Sequence, residues 1–141
     1  MSNSTDASRS AVVPAPLRGA LLVVVVEAAG LLGLAVAFLL DVLRGLVLDV
    51  GTTVAMAVFF LGLAVVLIAG GRALWRGRRW GRGPVITWQL LQAVMAIAVT
   101  GVLPVSLVVL LVLMSAGVIA GILWPSSREY ASGTGSPSVL A

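Results

Sequence analysis

The sequence predicts an all-α membrane protein, a four-helix transmembrane bundle with disordered termini. Three observations carry that expectation. Hydrophobic residues make up 60% of the 141-residue chain and charged residues only 10%, whereas a soluble domain carries charge on roughly a quarter of its positions. Apolar stretches long enough to cross a bilayer recur along the chain. Between them lies one basic block, Arg72-Ala73-Leu74-Trp75-Arg76-Gly77-Arg78-Arg79-Trp80-Gly81-Arg82-Gly83-Pro84, holding five of the nine arginines. Such a block is retained on the cytoplasmic side and orients its flanking spans.

Residues 1–16 are Ser-rich and contain Pro14 and Pro16. They bury too little surface to offset ordering entropy and read as a disordered cytoplasmic tail. Asn3-Ser4-Thr5 fits the glycosylation sequon by chance in a tail so placed. The transmembrane domain occupies residues 17–124. Its first span covers residues 20–40, with Arg18 at its start; about 20 residues cross the ~30 Å hydrocarbon core. Ala35-Val36-Ala37 has the form of a signal cleavage site, but the long polar leader and the internal Glu27 argue for an uncleaved span.

A short loop with Asp41, Arg44 and Asp49 leads to the second span, residues 51–71. Arg72, Arg76 and Arg79 recur at helical spacing, which extends that helix into the basic block. Trp75 and Trp80 suit the headgroup region. Residues 85–124 then carry no charge. The fold-back falls at Thr100-Gly101-Val102-Leu103-Pro104, because Gly permits a tight turn and Pro is tolerated at a helix start. The third and fourth spans are therefore residues 84–100 and 104–124. Residues 125–141 form a second cytoplasmic tail.

Four spans place both termini on one face. Arg9, Arg18, the five block arginines and Arg128 then lie inside and Arg44 alone outside, a positive-inside bias that assigns both termini to the cytoplasm and the protein to the cell membrane. The net charge of +4 is concentrated in this topogenic loop, so no nucleic-acid partner is expected. The chain contains neither Cys nor His, which removes disulfides, the usual zinc ligand sets and His-based acid–base catalysis. No P-loop or nucleophile elbow occurs. No enzymatic activity, cofactor or metal is expected.

The candidate functional residues are the polar ones within the spans. Glu27 lies about 11 Å from the inner boundary, Gln92 and Ser115 about 12–13 Å, and Gln89 one turn nearer the cytoplasm. A buried acid at such a level costs roughly 2–3 kcal/mol on insertion scales. In the structural reading, Glu27, Gln89, Gln92 and Ser115 hydrogen-bond between helices. In the carrier reading, Glu27 couples protons or substrate. The structural reading is preferred, because no second intramembrane acid, Lys or His completes a relay.

Ala29, Gly33 and Ala37, with Gly30 beside them, form a small-residue stripe expected to pack against protein; Ala116, Gly117, Ala120 and Gly121 form another. These faces leave open a second copy of the chain, or another membrane protein, as partner. Arg72, Arg76, Arg78, Arg79 and Arg82 set topology and are also candidates for docking anionic lipid headgroups.

The basic block followed by Trp88-Gln89-Leu90-Leu91, with Glu27 in the first span and Pro125-Ser126-Ser127-Arg128 at the last exit, resembles small four-span integral membrane proteins of actinobacteria. That resemblance covers residues 18–130 and implies a membrane fold without a known activity. Val26-Glu27-Ala28-Ala29-Gly30 is similar to the first span of small multidrug-resistance transporters, which implies proton-coupled efflux through Glu27. Phe38, Phe59, Phe60 and Tyr130 do not match the aromatic positions of that family, and the arginine loop is foreign to it.

Overall fold

The computed structural model describes residues 12–133. Among them are five α-helices: α1 (Ala15–Leu43), α2 (Val50–Trp75), α3 (Arg82–Ala98), α4 (Val105–Leu123) and α5 (Pro125–Gly133). Three of these, α1, α2 and α4, are long and apolar enough to cross a membrane. At 17 residues, α3 is about 25 Å long. The expectations for residues 1–11 and 134–141, including the sequon, most of the first tail and the end of the second, lie outside the described residues.

Local chemistry sets the helix limits. Pro occupies the first turn of α1, where its missing N–H is no loss, so the helix begins before the expected start at residue 20. It ends on a Schellman arrangement, with Leu46 N bonded to Asp41 O and Gly45 N to Val42 O. Asp49 caps α2, accepting from Thr52 N at 2.8 Å. Hydrogen bonds from Thr52, first from its side chain and then from its backbone N–H, hold the Asp49 carboxyl below its ordinary value. The continuation of α2 through Arg79 does not occur. Gly77, at φ 70°, closes the helix with Gly77 N on Leu74 O and Arg78 N on Ala73 O. A left-handed residue there is tolerated because it is Gly.

The first four helices run up and down. α1 packs on α2 and α4, and α3 packs on the same two, so α1 and α3 face each other across the bundle. On α1, Ala20 is buried beside Gly121 of α4, and Leu17, Leu21, Val24, Ala28, Leu31 and Ala35 form one buried row. Their spacing alternates four and three, which is the 3.5-residue seam of left-handed helix packing. On α2 the buried Ala57, Ala64, Leu67 and Leu74 fall on a matching seam. At the far end Phe38 stacks on Phe60, ring centroids 5.8 Å apart.

The first small-residue stripe lies off this seam. Ala29, Gly30, Gly33 and Ala37 are exposed in the single chain, while Ala28, Leu31 and Ala35 are buried. The second small face divides. Gly121 packs against α1, where an added Cβ would stand 2.8 Å from Pro16 O, while Ala116, Gly117 and Ala120 are exposed.

The tail expected after residue 124 is corrected over its first nine residues, which form α5. Pro125 suits a helix start, and tertiary contacts hold the helix against the bundle end. Ser127 Oγ donates to Gly121 O at 2.7 Å and Tyr130 Oη to Trp75 O at 2.8 Å.

Candidate functional site

Glu27 lies midway along α1, half-buried and beside the seam. Gln89 and Gln92 are three apart on α3 and therefore share a face. The bundle brings them to the same carboxylate. Gln89 Nε2 donates to Glu27 Oε2 at 2.6 Å, and Gln92 Nε2 donates to Glu27 Oε1 at 3.1 Å. Each carboxylate oxygen therefore receives its own amide, and the two bonds join the helices that face each other across the bundle. Gln89 is 0% exposed, so this clasp reaches the molecule's centre.

Two expectations change at this site. Ser115 is fully buried, but its Oγ has no hydrogen-bond partner; it does not join Glu27. Depth along α4 gives the level of a residue but not the rotation of the helix, and a hydrogen bond needs both. Trp88, noted in the sequence only within the run Trp88-Gln89-Leu90-Leu91 and not among the polar candidates, lies near the Glu27 carboxylate, although its buried indole N–H meets no hydrogen-bond geometry. Its position next to Gln89 was the available signal. Gln89 Oε1 is also buried without a partner. Such orphaned groups each cost about 1–3 kcal/mol when dry.

The arginine block divides by role. Arg82 begins α3, and its Nη2 donates to Ser127 O and Arg128 O, both at 3.2 Å. Burial, then the charges of Arg79 and Arg128, hold the Arg82 guanidinium below its ordinary value, and it remains charged at neutral pH. Among the described residues, the side chains of Arg72, Arg76, Arg78 and Arg79 make no hydrogen bond or ion pair. The loop turns back closely: a Cβ on Gly81 would meet Gly70 O, with Ala73 Cβ at 2.9 Å.

The open grooves lie away from Glu27. One of about 300 Å³ runs between α1 and α2 and includes Leu21, Val25, Ile68 and Trp75. Another, of about 380 Å³, lies between α2 and α3 and includes Leu63, Pro84 and Leu91. Neither is lined by Glu27. Among the described residues no group of three or more His, Cys, Asp or Glu could hold a metal ion. No family model, curated protein or solved structure matches this chain.

Proposed function

We propose that the chain is a four-span protein of the cell membrane, with both termini and the arginine loop cytoplasmic, serving as a structural or accessory component without its own catalysis. In this reading α3 crosses the membrane along with α1, α2 and α4. It is short for a ~30 Å core, and its packing on both α2 and α4 supplies protein neighbours along its length. Likeness to the small actinobacterial four-span proteins belongs to the same proposal.

The observation that carries the structural role is the engagement of both Glu27 oxygens by Gln89 and Gln92. A carboxylate held twice by neutral amides acts as a fastening between helices. A carrier needs the same group to release and regain a proton in contact with water. The test compares wild type, Glu27→Gln and Glu27→Ala for detergent stability and for resistance to cationic dyes in a sensitised host. The expected result is no resistance from any of the three, with stability lowered in Ala and kept in Gln. Dye resistance conferred by wild type and lost in Gln would replace this proposal with the efflux reading.

A further inference from the structure

We infer that the inner end of α2 carries a binding site for a phosphate group, and that its occupant is the headgroup of an anionic phospholipid. The inference rests on the membrane orientation proposed above.

A cavity of about 170 Å³ is lined by Ala69, Arg72, Ala73, Arg76, Arg78 and Trp80. It is many times the ~10–15 Å³ that one water needs. Three of its six lining residues are arginines, and no carboxylate is among them. Ala69, Arg72, Ala73 and Arg76 lie at positions three and four apart, which makes one helix face. Gly77 then reverses the chain through its positive φ, and this turn brings Arg78 and Trp80 to the other wall. The arginines are exposed, and among the described residues their side chains have no hydrogen-bond or ion-pair partner. Arg82, by contrast, is committed to the carbonyls of α5. The block therefore contains a group of guanidinium forks left available, and such forks match phosphate oxygens in pairs.

The apolar surface beneath selects a lipid over a soluble phosphate. Continuing the same α2 face away from the cavity reaches Val66, Val65, Phe59 and Val58, all exposed large hydrophobics. Arg72 to Phe59 is about 20 Å along the helix, enough to run beside an acyl chain. Trp80, half exposed at the cavity wall, suits the headgroup level. A phosphodiester at the arginines would therefore have its chains laid on an apolar ridge.

The experiment uses the full chain in phosphatidylcholine bilayers and measures the association of spin-labelled phosphatidylglycerol relative to spin-labelled phosphatidylcholine. Wild type is expected to prefer phosphatidylglycerol. Arg76→Gln should lower that preference about fivefold, the equivalent of the ~1 kcal/mol that one basic residue near an anionic surface contributes. Arg79→Gln removes the same charge from the same loop but from outside the cavity, and should lower it less. Arg76→Lys covers the case in which Gln fails to fold; it keeps the charge, loses the fork and should give an intermediate preference. Equal association of the two lipids would overturn the site, as would equal losses in Arg76→Gln and Arg79→Gln, which would mark diffuse charge. Displacement by millimolar inorganic phosphate at constant ionic strength would overturn the lipid as occupant and assign a soluble phosphate instead. Thiol labelling of Gly83→Cys in intact cells reports separately on orientation. An inward loop with no lipid preference removes this site alone, whereas an outward loop removes the proposed topology.

Discussion

Gln89 Nε2 stands 2.6 Å from Glu27 Oε2, a hydrogen bond between residues 62 apart in sequence and on helices that do not neighbour one another. With Gln92 on the other oxygen, it fixes the rotation of α1 and α3 about their own axes. A one-residue slip of α3 would turn both amides away by about 100°. The bonds therefore contribute to register as well as to stability.

A double-mutant cycle measures the first of these bonds. Glu27→Ala and Gln89→Ala should each destabilise the bundle, and the double variant should lose less than their sum. Coupling of about 0.6 kcal/mol is the average for such pairs in membranes, with about 1.7 as the upper value. Additive losses, read by unfolding in mixed micelles, would mean that the contact contributes nothing measurable. Glu27→Gln should keep most of the stability, since its amide oxygen still accepts one bond and a flipped amide at Gln92 can accept the other.

The bend between α2 and α3 depends on a close approach of backbones. A methyl on Gly81 meets Gly70 O, Ala73 Cβ at 2.9 Å and Leu74 Cγ at 3.1 Å. Backbone and helix-bound Cβ atoms cannot swing aside, so Gly81→Ala should destabilise by about 1–3 kcal/mol, the usual range for overpacking. Gly83 is the internal control. Nothing lies within 4 Å of a Cβ there, and Gly83→Ala should be neutral or stabilise by about 0.4–1 kcal/mol. Equal unfolding midpoints for the two variants would show that the approach carries no strain.

The helices were legible because apolar runs, Pro84 and Pro104 mark their lengths and ends. The level shared by Glu27 and Gln92 was legible from rise per residue alone. Rotation was not: Ser115 shares the level but its hydroxyl meets no partner, and the stripe of Ala29, Gly33 and Ala37 is exposed in the single chain. Small residues at every fourth position show where backbones can approach, not where they do. Within this chain the interface of α1 and α2 follows a 3.5-residue seam of Leu, Val and Ala. Residues 125–133 read as tail because Pro, Ser and charge dominate them, and nine residues alone are too short for a stable helix. Distant groups make the difference there: Arg82, Gly121 and Trp75.

Those distant groups give a prediction for α5. Tyr130→Phe removes the bond to Trp75 O, and Arg82→Gln removes two bonds to α5 carbonyls. The Tyr130 bond is neutral and exposed, so its loss should fall at or below the low end of the usual range of about 0.5–1.5 kcal/mol. The Arg82 bonds come from a charged group and one is part-buried, so Arg82→Gln should cost more, towards about 1.5 kcal/mol. The local effect should be larger. Amide hydrogens of α5 should exchange faster in either variant, while those of α1 and α2 keep their wild-type rates. Unchanged α5 exchange in both would mean that Ser127 alone holds the helix down.

Orientation is the premise on which the proposed role and the lipid site both depend. The inner end of the bundle gathers the start of α1, the end of α2, the start of α3 and the end of α4. This follows from Gly121 against Pro16 and from Gly71 against Leu21 and Val24. Arg18, the five block arginines and Arg128 all belong to that end, and Arg44 belongs to the loop at the other. Orientation follows the summed Lys and Arg bias of short loops, so the crowded end should face the cytoplasm. Gly83 is a suitable reporter, exposed and with open space at its Cβ, whereas Cys at Gly77 would be strained by its positive φ. Leu48 is fully exposed in the opposite loop, and its replacement leaves the charge balance unchanged. An impermeant thiol reagent added to intact cells should label Leu48→Cys and spare Gly83→Cys until the cells are lysed. Replacing Arg76, Arg78, Arg79 and Arg82 together with Gln should then yield mixed labelling of both reporters, because the bias that sets orientation has been cut by four charges. Any one of those replacements should leave the wild-type pattern. If a single arginine reversed the labelling by itself, orientation would depend on one specific contact rather than on the summed charge of the loop.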